Sequence, residues 1–96
     1  MAIPTTAMRG AGNVTTGSSG ADNTQAVGGA YHLLKIINDH ATVDLYVRPD
    51  ADATAEPRME IKATTSETFV ITGVTNFHYT QASGTFDFRY EAFYNT

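Results

Sequence analysis

The sequence predicts an all-β protein: a small antiparallel β-sandwich of about six strands, preceded by an extended N-terminal arm. Three observations carry this. Residues 30–96 repeat short runs in which apolar and polar side chains alternate. Turn residues separate these runs at intervals of about eight to twelve residues, the spacing of small sandwiches. No segment places its apolar residues at the three- and four-residue spacing of a helix.

The elements follow in order. Residues 1–29 read as the arm. Six of the eight glycines lie between positions 10 and 29, and Arg9 and Asp22 are the segment's only charges. Its apolar side chains are sparse, with Ile3, Met8, Val14 and Val27 prominent. Such a stretch buries too little surface to offset its ordering entropy, which predicts a flexible segment in isolation. The body, residues 30–96, begins with Tyr31–Asn38, rich in branched and aromatic side chains. Leu34 and Ile36 face inward there. Leu33 and Ile37 give the same strand a second apolar face, which calls for cover from the arm or from a neighbouring subunit. Asn38-Asp39-His40 is a turn signal.

Thr42–Arg48 alternates, with Val43, Leu45 and Val47 inward. Residues 49–57 form a polar loop between two prolines. Arg58–Ala63 alternates again, placing Met59 and Ile61 inward. Thr68–Thr72 is a short strand with Phe69 and Ile71 inward, and Gly73 ends it. Asn76–Gln81 directs Phe77 and Tyr79 inward. Ala82-Ser83-Gly84 is a hairpin-type turn. Thr85–Tyr94 is the longest alternation, with Phe86, Phe88 and Tyr90 inward.

Composition bounds the function. Ninety-six residues make one domain at most. Net charge is -4, and no two of the six Lys and Arg are adjacent. A nucleic-acid surface needs a basic stripe to neutralise phosphates, and a membrane-surface anchor needs a basic cluster. Neither is present, so nucleic acid and membranes are not the expected partners. The chain has no cysteine. No apolar run has the length of a membrane span, and Met1–Arg9 does not lead into a signal-peptide core. Synthesis and first folding in a cytoplasm are expected. A body of 67 residues (30–96) without disulfides is near the size at which one core becomes marginal, so oligomerisation is the expected stabiliser.

The sequence offers little catalytic chemistry. His32, His40 and His78 have no ligand at zinc-site spacing, so no metal or other cofactor is expected. Asp50, Asp52 and Glu56 share a loop that lacks the residue order of a calcium loop. Asp44, Glu60, Asp87 and Glu91 lie on outward faces, where Arg48, Lys62 and Arg89 pair with them. No nucleophile elbow occurs. The chain is therefore expected not to be an enzyme. The arm residues Ile3, Met8, Arg9, Val14 and Val27, with Tyr31, Phe93 and Tyr94, are the candidate partner-binding residues. Aromatic side chains near a terminus suit a subunit interface.

The body reads "LLKIINDHATVDLYVRPD … PRMEIKATTSETFVITGV … QASGTFDFRYEAFY". Leu34, Ile36 and Asn38 are followed by Leu45-Tyr46-Val47. Glu67, Phe69, Ile71 and Gly73 come next, then Ala82-Ser83-Gly84, Asp87 and Arg89. Over about residues 31–94 this layout resembles the small β-sandwich structural proteins of tailed bacteriophages, with Ser66 standing where glycine is usual. Capsid decoration (cement) proteins fit best. The resemblance implies a virion component on the capsid exterior, without enzymatic activity. It also implies a homo-oligomer, a trimer above all, whose arm straps major capsid protein subunits or other virion proteins. A head–tail or tail adaptor, or a glycan- or host-receptor-binding module, is the alternative.

Overall fold

The computed structural model describes residues 6–95. All six strands run antiparallel to their neighbours: β1 (Thr6–Thr15), β2 (Asn23–Ile37), β3 (Leu45–Arg48), β4 (Met59–Ile61), β5 (Ser66–Gln81) and β6 (Asp87–Asn95). In place of two separate sheets they make one continuous sheet, in the order β1-β6-β2-β5-β3-β4.

That sheet folds over on itself. β5 and β6 are separated by β2 in the hydrogen-bonded order, yet their rings meet across the interior. Phe77 lies 6.2 Å from Phe88 and 5.4 Å from Tyr90, and Tyr79 lies 5.0 Å from Phe88, all edge-on. Edge-on aromatic pairs of this kind are favoured by ring electrostatics. The C-terminal half of β5 and the N-terminal half of β2 therefore cover the inner face of β1 and β6.

The fold-over has a local cause. Between the pairs Ala26–Asn76 and Tyr31–Val74, β2 advances five residues (31 − 26) while β5 advances two (76 − 74). Between Tyr31–Val74 and Leu33–Val70, β2 advances two (33 − 31) and β5 four (74 − 70). Each strand thus bulges in turn, and bulges bend a sheet. Gly28 (φ +97°) and Gly73 (φ +83°) sit in these two bulges, in a backbone region that side chains rarely adopt. The bulges also reset the pattern of β2. Val27 and Tyr31 point inward before the bend, and Leu34 and Ile36 after it.

Several expectations need correction. Residues 6–15 and 23–29 are not an arm beside the body: they are β1 and the first half of β2, and the expected boundary at 29/30 falls inside β2. A glycine-rich strand with few apolar residues holds its place because it pairs with β6 along its length, from Thr6–Asn95 to Thr15–Asp87, with one bulge at Arg9. Gly73 does not end a strand but lets β5 run on for 16 residues. Met59 is exposed rather than inward. Val14, Val27, Tyr31 and Ala92 join the core beside most of the expected inward residues.

Buried polar groups tie the loops down. Asn38 is buried. Its Nδ2 donates to the carbonyls of Val43 and Ile61, both at 3.0 Å, and its Oδ1 accepts the His40 N–H. The Tyr31 hydroxyl donates to the Asn76 carbonyl at 2.6 Å, and burial pushes its pKa well above the ordinary phenol range. Gln81 Nε2 donates to the carbonyls of Gly17 and Gly84, joining the β1–β2 and β5–β6 turns.

Candidate interaction surface

Two features of the sheet are open to a partner: its first edge and its outer face. β1 ends the sheet, with no strand beyond it among the described residues. An edge strand presents one row of unpaired backbone donors and acceptors, a template for another chain. Its register with β6 slips between Met8 and Gly10, which leaves Arg9 as the bulge residue. Arg9 is also the only charge on the strand.

The outer face is built in rows, because residues directly opposite one another share a side of the sheet. In one row Phe93 stands opposite Leu33, and Leu33 opposite Val70. Met8 is the register partner of Phe93 on β1. The next row holds Glu91 opposite Lys35, with Thr68 and Ala11 flanking. In the third, Arg89 stands opposite Ile37, with Ser66 and Asn13 flanking. An antiparallel sheet with one solvated face normally keeps that face polar. Here Val70 is 83% exposed, and Leu33, Ile37 and Phe93 are half-buried without joining the core cluster. A shallow hollow of about 280 Å³ opens between Ala11, Asn13, Ile37 and Arg89.

The charges of this face are unevenly committed. Arg89 forks onto Asp39, Nε to Oδ2 at 2.7 Å and Nη2 to Oδ1 at 3.0 Å, and this hydrogen bonding holds the Asp39 carboxyl below the usual aspartate range. The ion pairs found among the described residues do not include Lys35 or Glu91.

The candidate partner-binding residues divide. Ile3 lies outside the described residues. Met8 and Arg9 are on the β1 edge. Val14, Val27 and Tyr31 are corrected: they are 4%, 4% and 0% exposed and belong to the chain's own core, so a partner cannot reach them without opening the fold. Phe93 lies in the apolar row of the outer face, and Tyr94, half-buried, alternates to the opposite side. Val70 was not among the candidates. Its signal was present, since inward Phe69 and Ile71 leave the residue between them pointing out.

A second hollow of about 280 Å³ opens beside the polar loop, between Arg48, Pro49, Asp50, Pro57, Arg58 and Phe69, but the loop's carboxylates are already held. Asp52 accepts the Thr54 N–H and hydroxyl, Glu56 accepts the Arg58 N–H, and Asp50 lies 3.8 Å from Arg48. Each loop carboxylate is thus engaged by its own neighbours. The Asp22 carboxylate contacts His78 Nδ1 at 3.0 Å and accepts the Ala53 N–H, pinning the loop to the start of β2. No three His, Asp or Glu gather at metal-holding distances among the described residues. None of the ten aromatic residues is fully exposed. No protein-family model, curated protein or solved structure matches the chain.

Proposed function

We propose that the chain is a non-enzymatic structural protein that binds a larger protein assembly, in the manner of the capsid decoration proteins its sequence resembles. The observation that carries this reading is the open edge of β1: ten residues long and bearing one charge, against only three residues in β4 at the opposite edge of the sheet. A strand of a shell subunit adds to such an edge through backbone hydrogen bonds alone, and small residues such as Gly10, Ala11 and Gly12 let it approach closely. The bulge at Arg9 restricts which strands fit, because a bulged, charged edge resists indiscriminate pairing. This replaces the strap expected of residues 1–29, since β1 is itself part of the sheet. The place of action is the exterior of a virion, with the major capsid protein as partner. The glycan-binding alternative loses support, because a stacking platform needs exposed aromatic rings.

The test is co-sedimentation with expanded, undecorated heads of the tailed phage that carries the gene. Wild-type protein is expected to saturate at a fixed number of copies per head. Ala11→Lys with Asn13→Lys adds two charges at exposed edge positions and is expected to abolish binding without unfolding the protein. Absence of wild-type binding, or full binding by the charged variant, refutes the reading.

A further inference from the structure

The outer face is complementary to itself. Consider a two-fold axis parallel to the strands, lying over the outer face midway between β2 and β6. It turns a second copy face down. β6 of that copy then lies over β2 of the first, and β1 over β5, with every row at its own height. Phe93 of each copy comes over Leu33 of the other, and Val70 over the β1 position of the same row. One row along, Glu91 of each copy comes over Lys35 of the other, twice about the axis. In the third row the stem of Arg89, whose head is held by Asp39, lies over Ile37. No like charges meet in any row.

We propose that two copies of this chain associate face to face through the outer face of β6, β2 and β5, about that two-fold axis. The apolar row supplies the burial, and the two Lys35–Glu91 contacts set the register. A second copy is the occupant because the charge pattern matches its own mirror order across β2 and β6. A polar partner would leave Val70, Leu33 and Phe93 opposite unsuited groups, and a purely apolar one would take the Lys35 and Glu91 charges out of water without offering them a counter-charge, which is costly. Twisted sheets pack in this aligned way about 10 Å apart, with interdigitating side chains. Three rows across four strands cover roughly 19 Å by 20 Å, about 400 Å² on each copy, an area of weak, transient interfaces rather than permanent ones. The dimer is therefore weak and concentration-dependent, with a dissociation constant on the order of 10–100 μM. The proposal does not rest on shell binding, which uses the β1 edge and leaves this face unused.

The experiment is sedimentation velocity on the full chain from about 10 μM to about 1 mM, a range that brackets the expected constant. Wild type is expected to move from monomer to dimer across the range. Val70→Lys changes a side chain that is 83% exposed, so its melting temperature stays at the wild-type value while association weakens at least tenfold, roughly the cost of one charge in an apolar contact. Lys35→Glu and Glu91→Lys, each alone, set like charges against each other twice across the axis and are expected to stay monomeric. Mixed in equal amounts, they are expected to dimerise with each other, since both cross-axis contacts become opposite in charge. Within each chain the two positions still carry like charges, so rescue on mixing reports contact between chains only. A wild-type monomer throughout, a Val70→Lys variant that associates as wild type does, or a mixture that stays monomeric overturns the proposal.

Discussion

Replacing Gly10 by alanine should distinguish a packed strand from a free arm. A methyl group built at Gly10 would stand 2.5 Å from the Val27 carbonyl oxygen and 3.6 Å from its carbon. That oxygen is backbone at the bend of β2 and cannot swing aside as a side chain does. The gap is about 0.8 Å short of the ~3.3 Å at which carbon and oxygen ordinarily meet. β1 cannot retreat by that much without loosening its ladder with β6, so the substitution should cost about 1–3 kcal/mol, the usual range for overpacking. For a domain of this size, a loss of about 2 kcal/mol lowers the melting temperature by roughly 8–16 °C. Gly12, on the same face of the same strand, provides the control. A methyl group there would meet only a Tyr90 ring carbon at 3.9 Å, an ordinary contact. Gly12→Ala should therefore be neutral, or stabilising by about 0.4–1 kcal/mol through the unfolded chain. The assay is urea and thermal unfolding followed by circular dichroism. Equal stability of the two variants would refute the packing of β1 beneath the β2 bend, because a free arm treats both glycines alike.

Three further outcomes follow from particular contacts. Asn38→Ala strands one buried carbonyl, one part-buried carbonyl and one backbone N–H, and should cost about 2–4 kcal/mol in urea unfolding at unchanged m-value; a loss below about 0.5 kcal/mol would contradict the described hydrogen bonds. Thr64 is exposed and holds φ at 65°, a strained value for a branched side chain. Thr64→Gly should raise stability by about 0.5–1 kcal/mol, read from the shift in urea midpoint. The Arg89 fork lowers the folded-state pKa of Asp39 below its unfolded value, so the pair's contribution is present above the ordinary aspartate range and is lost as pH falls through the lowered value. An NMR titration should find the Asp39 carboxyl titrating below the usual range and returning toward it in Arg89→Gln; an unmoved midpoint would remove Arg89 as the cause.

The alternation in residues 42–48, 58–63 and 85–94 was enough to place Leu45, Val47, Ile61, Phe88 and Tyr90 in the core, because a half-buried strand writes its two faces into every second residue. Other elements lacked that signal. Among residues 10–15 of β1 Val14 is the only large buried side chain, and the strand's position comes from backbone pairing that any sequence free of proline can make. Gly28-Gly29 and Gly73 looked like the ends of segments because glycine marks breaks and bulges alike. Only the pairing of β2 with β5 tells the two apart, and that pairing joins residues about 30 to 55 positions distant, as in Lys35–Thr68 and Asn23–Tyr79. The candidate surface was half visible: Leu33, Ile37 and Phe93 stood out as apolar residues on a second face, while their alignment with Val70 depends on register.

The pairing of Thr6 with Asn95 means that the first of the six strands to be made is among the last to find its neighbour. β1 leaves the ribosome about 80 residues before the end of β6, an interval of roughly 4–16 s at ordinary rates of synthesis. During that time a glycine- and threonine-rich strand with little apolar surface waits without a partner. Its poverty in sticky side chains, which made it look like a segment outside the fold, keeps it from pairing wrongly until β6 arrives.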